Sequence, residues 1–298
     1  MEYGASTHAR RRGGSGMADS VSDASRLVNA TLGRDALTER SRRTWSAGDY
    51  DRVAEGFREE ARAFVERLSL RPGQLVLDAA CGSGNLTIPA ARTGAIVTGI
   101  DLVLPLLSAA SRWATREHLP LTLDLGNVED LPYADERFDV VTSMFGIMFA
   151  ARPERVVAEL ARVTRSGGRV VLANWTRRGF IGKLLAMHAA VAPPPAGIPS
   201  PLLWSDEPVL RERFDDRMWQ LTSTPRTLTF RYPHTPAGTA ELFRVAYGPT
   251  VRAFAALDED ARAAFATDLA EHWAWHQRGT GSATEVDAEY LEVVAVRR

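Results

Sequence analysis

Two carboxylates and the small residues between them are the part of this chain best suited to chemistry. Asp78 closes the apolar stretch Leu75-Val76-Leu77, small residues follow at Ala79, Ala80, Gly82 and Gly84, and Asp101 closes a second apolar stretch 23 positions after Asp78. Small side chains let a loop backbone close up against a ligand and adopt turns that a larger residue blocks. A helix expected over 85–93 points its first N–H groups into the same space. Asp78 offers an acceptor to a positively charged group. Asp101 stands near the spacing at which one carboxylate accepts from two vicinal ribose hydroxyls. Together they suit a nucleoside-like ligand that carries an amine.

These residues must be held by a strand, a tight loop and a helix, and the same alternation continues downstream. Strands are expected over 75–79, 94–101, 121–125, 137–144 and 169–175, with amphipathic helices over 105–116 and 154–164, the latter stopped at Gly167-Gly168. Parallel strands joined by right-handed helical crossovers account for this order. Ligands of such open sheets bind outside the carboxyl ends of the strands, where Asp78 and Asp101 fall.

On these residues the chain resembles the class I S-adenosylmethionine-dependent methyltransferases, in particular the small-molecule branch of the ubiquinone and menaquinone methyltransferases. The first motif of that family is an acid followed by Gly-x-Gly-x-Gly, which here reads Asp78, Ala80, Gly82 and Gly84, with alanine in place of the first glycine. A second family motif, Gly-Asp-Ala-Glu-x-Leu-Pro-Phe, reads Gly126-Asn127-Val128-Glu129-Asp130-Leu131-Pro132-Tyr133. The resemblance implies S-adenosyl-L-methionine as cofactor and an α/β, Rossmann-like, seven-stranded, mostly parallel sheet with helices on both faces. Asp78, Ala80, Gly82, Gly84 and Asn85 would cradle the cofactor, Asp101 would bind the ribose, and Leu102 would pack on the adenine. Asn127 stands where the family has an aspartate that accepts from the adenine amino group. Its amide oxygen can still accept, and the backbone N–H of Val128 would donate to a ring nitrogen. Met144 and Phe145 would touch the methionine part, and Met148, Phe149 and Trp175 would face the acceptor.

The remainder is less regular. Residues 1–19 read as a disordered tail, glycine-rich and basic, with no hydrophobic segment of secretory type. The segment 20–70 reads as helical: Leu27, Val28, Leu32 and Leu37 suggest a surface helix, a helix over the site being the alternative, and a second helix is expected over 51–68. Tyr50 lies just before that helix, where related enzymes carry an aromatic residue near the donor. The cofactor-binding core spans 71–175. Residues 176–224, with the run Pro193-Pro194-Pro195 and the aromatic residues Trp204, Phe214 and Trp219, occupy the place of a substrate lid, and Trp204 is expected against the substrate. Residues 225–298 complete the core with strands over 227–232 and 290–296, the antiparallel end of the sheet, and helices over 236–257 and 259–277.

An aromatic-rich insertion beside the carboxyl edge suits an aromatic or terpenoid-like specialised metabolite as acceptor. If its nucleophile needs deprotonation, His188 or Tyr50 would take the proton. The expected function is therefore methyl transfer to a small molecule, with a nicotinamide-dependent oxidoreductase, or a non-catalytic protein of the same fold, as alternatives. Gly-x-Gly-x-x-Gly would favour the dinucleotide, but Thr87 stands where its third glycine would fall. The formal charge of −1 gives no reason to expect nucleic acid or an anionic membrane as partner, and the single cysteine, Cys81, rules out an internal disulfide framework and fits a reducing, cytoplasmic setting. No spacing of histidines and carboxylates demands a metal. Homo-oligomerisation is compatible with the sequence.

Overall fold

In the computed structural model the chain is described over residues 35–298, so the expected tail at 1–19 and the leucines of the first expected helix at 27 and 32 lie outside the described residues. The centre is one seven-stranded sheet in the order β3-β2-β1-β4-β5-β7-β6. Its strands are β1 (Leu75–Ala79), β2 (Ile96–Asp101), β3 (Thr122–Leu125), β4 (Phe138–Met144), β5 (Thr164–Trp175), β6 (Trp219–Tyr232) and β7 (Thr284–Arg297). The first five run parallel. Of the two C-terminal strands only β7 is reversed: it pairs antiparallel with β5 on one side and with β6 on the other. Val76, Leu77, Val140, Val141, Val170 and Leu172 are all buried. Central strands covered on both faces need continuous apolar runs rather than alternation, and these sequences supply them.

The helices are α1 (Ala36–Trp45), α2 (Tyr50–Ala54), α3 (Arg58–Leu68), α4 (Thr87–Arg92), α5 (Leu104–Arg116), α6 (Pro153–Val163), α7 (Phe180–Val191), α8 (Glu207–Arg213), α9 (Pro236–Ala246), α10 (Gly248–Ala255) and α11 (Glu259–His276). Several boundaries differ from the sequence-based expectation, each for a local reason. The helix expected over 51–68 is interrupted by a 3-10 turn at Glu55–Phe57, where Gly56 lies against the ring of Tyr232. The helix expected over 236–257 is two helices, because Tyr247 is extended and Pro249 starts a new one.

The stop expected at Gly167-Gly168 is instead the beginning of β5. A register shift against β4 between Phe138 and Val140, together with the positive φ of Gly167, absorbs the extra residues as a bulge. The strand β6 starts at Trp219 instead of 227, so it takes six residues from the segment assigned to the lid. Pro225 disguises it, yet proline is tolerated because β6 is an edge strand. Likewise β7 begins at Thr284 instead of 290, its exposed Glu285 and Glu289 alternating with buried Val286, Ala288 and Tyr290.

Candidate active site

The carboxyl ends of β1 to β4 open into one pocket. Its floor is the loop after β1. Ala80, Gly82 and Gly84 all have positive φ, at 58°, 53° and 94°, so the backbone curls left-handed around the ligand space. For glycine that geometry is free, whereas for Ala80 it is strained by about 1 kcal/mol. Gly84 does not line the pocket: a Cβ there would lie 3.2 Å from Ala110 and Ile88, so this glycine serves helix packing beneath the loop. The other loop residues Asp78, Ala80, Gly82 and Asn85 all line it.

Asp78 and Asp101 face this floor from two adjacent strands. The Thr87 hydroxyl donates to Asp78 Oδ2 at 2.6 Å, and burial outweighs that bond, raising the carboxyl to about 7. Asp101 accepts from the backbone N–H of Gly82 at 2.8 Å and of Val103 at 2.9 Å, and burial raises it to about 6. One carboxylate thus fixes the loop against the end of β2 while still lining the pocket with Leu102 and Val103.

The far end is made by the loop after β3. Asn127 accepts on Oδ1 from the Glu129 backbone N–H at 3.0 Å and donates from Nδ2 to the Thr38 hydroxyl at 3.2 Å, with Val128 beside it. Met144 and Phe145 line the pocket at the end of β4. Phe145 has a φ of 64° and lies stacked on Trp175 at a 3.5 Å centroid separation. Trp175, expected to face the acceptor, is therefore buried beneath Phe145 and does not line this pocket.

The roof comes from α1 and α2. Thr38, Ser41 and Trp45, at spacings of three and four, put one face of α1 over the pocket, and Tyr50 lies above the loop, its ring 3.9 Å from where a Cβ on Gly82 would be. The surface helix expected around Leu37 is thus a helix over the site. Hydrophobic periodicity missed it because the face toward the pocket is mostly polar. Trp45 meets Phe149 edge-on at 4.9 Å and Tyr50 at 5.5 Å.

On the other side of Trp45 and Phe149 lies a second opening, lined by Met148, Leu185, Ile198 and prolines such as Pro195 and Pro199. Phe149 borders both spaces and Met148 only the second.

Besides Trp175, three expected side chains fall elsewhere or lack the expected chemistry. Trp204 is fully buried, with the Arg213 guanidinium 4.6 Å from its ring centroid, and lines neither space because the short helix at Pro201–Ser205 folds it into the core. His188 is buried on α7, 2.9 Å from the Thr250 hydroxyl, and burial lowers it to about 4, so it stays neutral and lines neither space. Tyr50 does line the donor pocket, but burial and then the charge of Asp101 push its phenol well above its ordinary value. It holds its proton and can act as a hydrogen-bond donor rather than a base.

Among the described residues the pocket lining contains the carboxylates Asp78, Asp101 and Glu129 and no lysine, arginine or histidine. Of these, Glu129 is paired with Arg152 at 2.7 Å. Ser83 Oγ and Asn85 Oδ1 are buried in the lining without hydrogen-bond partners among the described residues. A glycine cradle, two buried unpaired carboxylates and two orphaned polar atoms fit a ligand with a cationic amine and ribose hydroxyls. Among the described residues no group of histidine, cysteine and carboxylates could hold a metal, and no helix is long and apolar enough to cross a membrane.

The family description "Methyltransferase domain" matches residues 77–172. An uncharacterized protein of Mycobacterium tuberculosis is 37% identical over 230 residues, covering 76% of this chain and 84% of its own. A demethylmenaquinone methyltransferase of Streptomyces avermitilis is 36% identical over 115 residues, 39% of this chain and 48% of its own. Among solved structures, a Haemonchus contortus phosphoethanolamine N-methyltransferase, in complex with S-adenosylhomocysteine, superposes with a TM-score of 0.51 at 16% identity, over 80% of this chain and 52% of its own.

Proposed function

This chain belongs to the class I S-adenosylmethionine-dependent methyltransferases, and from that premise we propose that it methylates a small, apolar, aromatic or terpenoid-like metabolite. The observation that carries the donor site is its charge: buried Asp78 and Asp101, without a basic partner among the described residues, welcome a cation and repel the pyrophosphate of a dinucleotide. In the proposed arrangement Asp101 takes the ribose hydroxyls, and Leu102 and Val128 hold the adenine, with the free lone pair of Asn127 Oδ1 toward its amino group. Asp78, Ala80, Gly82, Asn85 and the orphaned Ser83 hydroxyl hold the amino-acid end beneath Tyr50, Met144 and Phe145. When bound, S-adenosyl-L-methionine supplies an already activated methyl group.

The protein then has to align the acceptor and keep water away, a contribution of roughly 7 to 11 kcal/mol at best for well-oriented partners. The apolar groove beyond Trp45 and Phe149, lined by Met148, Leu185, Ile198 and prolines, supports an acceptor with a substantial hydrophobic body. With His188 sealed in the core and Tyr50 protonated, neither supplies a base. The reading therefore favours an acceptor whose nucleophile is reactive without one.

Titration calorimetry with S-adenosylmethionine, S-adenosylhomocysteine and NADH tests the donor. Binding of the first two and not the third is expected, and NADH binding alone would sink the reading. Mass spectrometry of turnover mixtures containing aromatic, terpenoid and small polar acceptors tests the acceptor. A mass gain of one methyl confined to the polar set would overturn the apolar assignment.

A further inference from the structure

We propose that α1 is a latched roof over the donor pocket, and that Asn127 couples its closure to the adenine end of the site. The proposal goes beyond the methyltransferase reading but rests on it for the identity of the bound ligand. It starts from how weakly α1 is held by packing. Of its ten residues only Thr38 is fully buried; Leu37, Glu39, Ser41, Arg42, Thr44 and Trp45 are half-buried and Ala36, Arg40 and Arg43 are exposed. A helix of this length has little stability of its own in water, so its position depends on what holds its two ends.

The ends are held in different ways. At the C-terminal end the Thr44 carbonyl lies so close to Gly248 of α10 that no Cβ would fit there, and Trp45 wedges against Phe149, Tyr50 and Tyr247. The chain then turns through Gly48, whose φ is 85°. That end has the character of a pivot. At the N-terminal end, among the described residues, the attachment is chiefly polar, with Leu37 half-buried beside it. Asp35, the N-cap, accepts from the Thr38 backbone N–H at 3.0 Å and from its hydroxyl at 2.8 Å. The same carboxylate receives two bonds from the Arg152 guanidinium, at 2.7 and 3.0 Å.

Arg152 in turn reaches into the site. Its guanidinium donates to Glu129 Oε2 at 2.7 Å, and its backbone N–H donates to Glu129 Oε1 at 2.9 Å. The side chain of Glu129 is only 4% exposed, whereas that of Asp35 is 38% exposed. The fixed half of the latch is thus buried in the pocket rim, and the half carried by α1 can be released to water at low desolvation cost.

Asn127 closes the circuit. The Thr38 hydroxyl spends its proton on Asp35, so it can only accept from Asn127 Nδ2, while Asn127 Oδ1 accepts from the Glu129 N–H. Reversing the amide would set its NH₂ against the Glu129 N–H, so the orientation is fixed by its partners. An aspartate at 127 could satisfy Glu129 but would turn lone pairs toward the Thr38 oxygen. The asparagine at a position where the second motif otherwise carries an acid is thereby accounted for: it both accepts at the adenine end and donates to the roof.

The test uses the full chain and Asp35→Asn, which retains a capping side chain but removes the charge that grips Arg152. Hydrogen exchange of the 36–45 amides and the dissociation rate of S-adenosylhomocysteine are measured in both proteins. In wild type, ligand should slow exchange across α1. The variant should lose that protection and release ligand about tenfold faster, while exchange in the 75–84 floor stays unchanged. Asn127→Asp should show the same loss of α1 protection, separating the coupling from the charge of Asp35. Unaltered α1 exchange together with dissociation rates within twofold would overturn the latch. If wild type binds no S-adenosylhomocysteine, the donor reading falls. The latch is then decided by α1 exchange in the free proteins, where Asp35→Asn must still open the helix.

Discussion

The two walls of the pocket are built from different materials. The floor, from the end of β1 to the end of β4, is largely backbone: three positive-φ residues, the N–H groups of Gly82 and Val103, and the carboxylates that fix them. The roof and the groove beyond it are side chains, with Trp45 against Phe149 and Tyr50, and Met148 and Ile198 farther out. A backbone wall demands a particular residue at each turn, so it is specific and can be recognised. A side-chain wall tolerates many aromatic and aliphatic solutions, which suits the half of a site that changes with its substrate.

The sharpest contrast comes from two tryptophans. Trp204→Ala should cost about 3 to 5 kcal/mol of stability by emptying a fully buried site, with donor affinity unaltered in the variant that remains folded. Trp45→Ala should cost much less stability and instead alter ligand release and turnover. Denaturant unfolding beside calorimetry reads both, and a strong loss of donor affinity in Trp204→Ala would break the division between core and roof.

Next in size, Asp101→Ala should weaken S-adenosylhomocysteine by about 2 to 3 kcal/mol, since it removes both the proposed ribose acceptor and the partner of two backbone donors. Calorimetry of the variant decides it. A loss below threefold would mean that the loop alone holds the ligand.

The pH dependence separates floor from core more gently. Carboxyls raised to about 7 and about 6 in the fold favour the neutral form, so their stabilisation is full below about 4 and is lost as pH rises through 6 to 7. His188 and His272, lowered to about 4, act in the opposite sense: their contribution is full above about 6.5 and is lost as pH falls toward 4. The two effects oppose each other in unfolding curves. Donor affinity isolates the carboxylates, and the binding constant of S-adenosylmethionine should rise on the order of tenfold between pH 5.5 and 7.5. A flat profile would mean that Asp78 and Asp101 are already ionised in the free protein.

The smallest effect is expected at Ala80→Gly. Relief of about 1 kcal/mol of left-handed strain is largely offset by the entropy that glycine loses on folding, roughly 0.5 to 1 kcal/mol. Stability within about 1 kcal/mol of wild type and intact donor binding would show that the departure from the glycine pattern is tolerated rather than functional.

How much could be read in advance follows the same division. The sheet through β5, the loop and Asp101 were legible because buried parallel strands need unbroken apolar runs and the loop needs small residues. The alanine at 80 did not obscure it. The roof was legible only in part: Tyr50 was expected near the donor and a helix over the site stood as the alternative, but Thr38 and Ser41 look like any exposed helix face, and only the fold reveals what lies under them. Trp204 and His188 misled because an insertion contains both core and rim, and composition does not say which side chain turns inward. The early start of β6 was hidden by Pro225, whose meaning depends on an edge position that sequence order alone does not give.

Cys81 lies inside the backbone wall, and its sulfur lies 2.9 Å from where any Cβ at Gly99 would be. It is the only thiol in the chain and is buried, with ionisation pushed well above the ordinary range by that burial. Cys81 also lines the donor pocket, so a small thiol reagent reaches it through the unfilled pocket or when the loop lifts off β2. The labelling rate therefore reports how open the floor is, readable on the unmodified protein. Any ligand that clamps the floor should slow it.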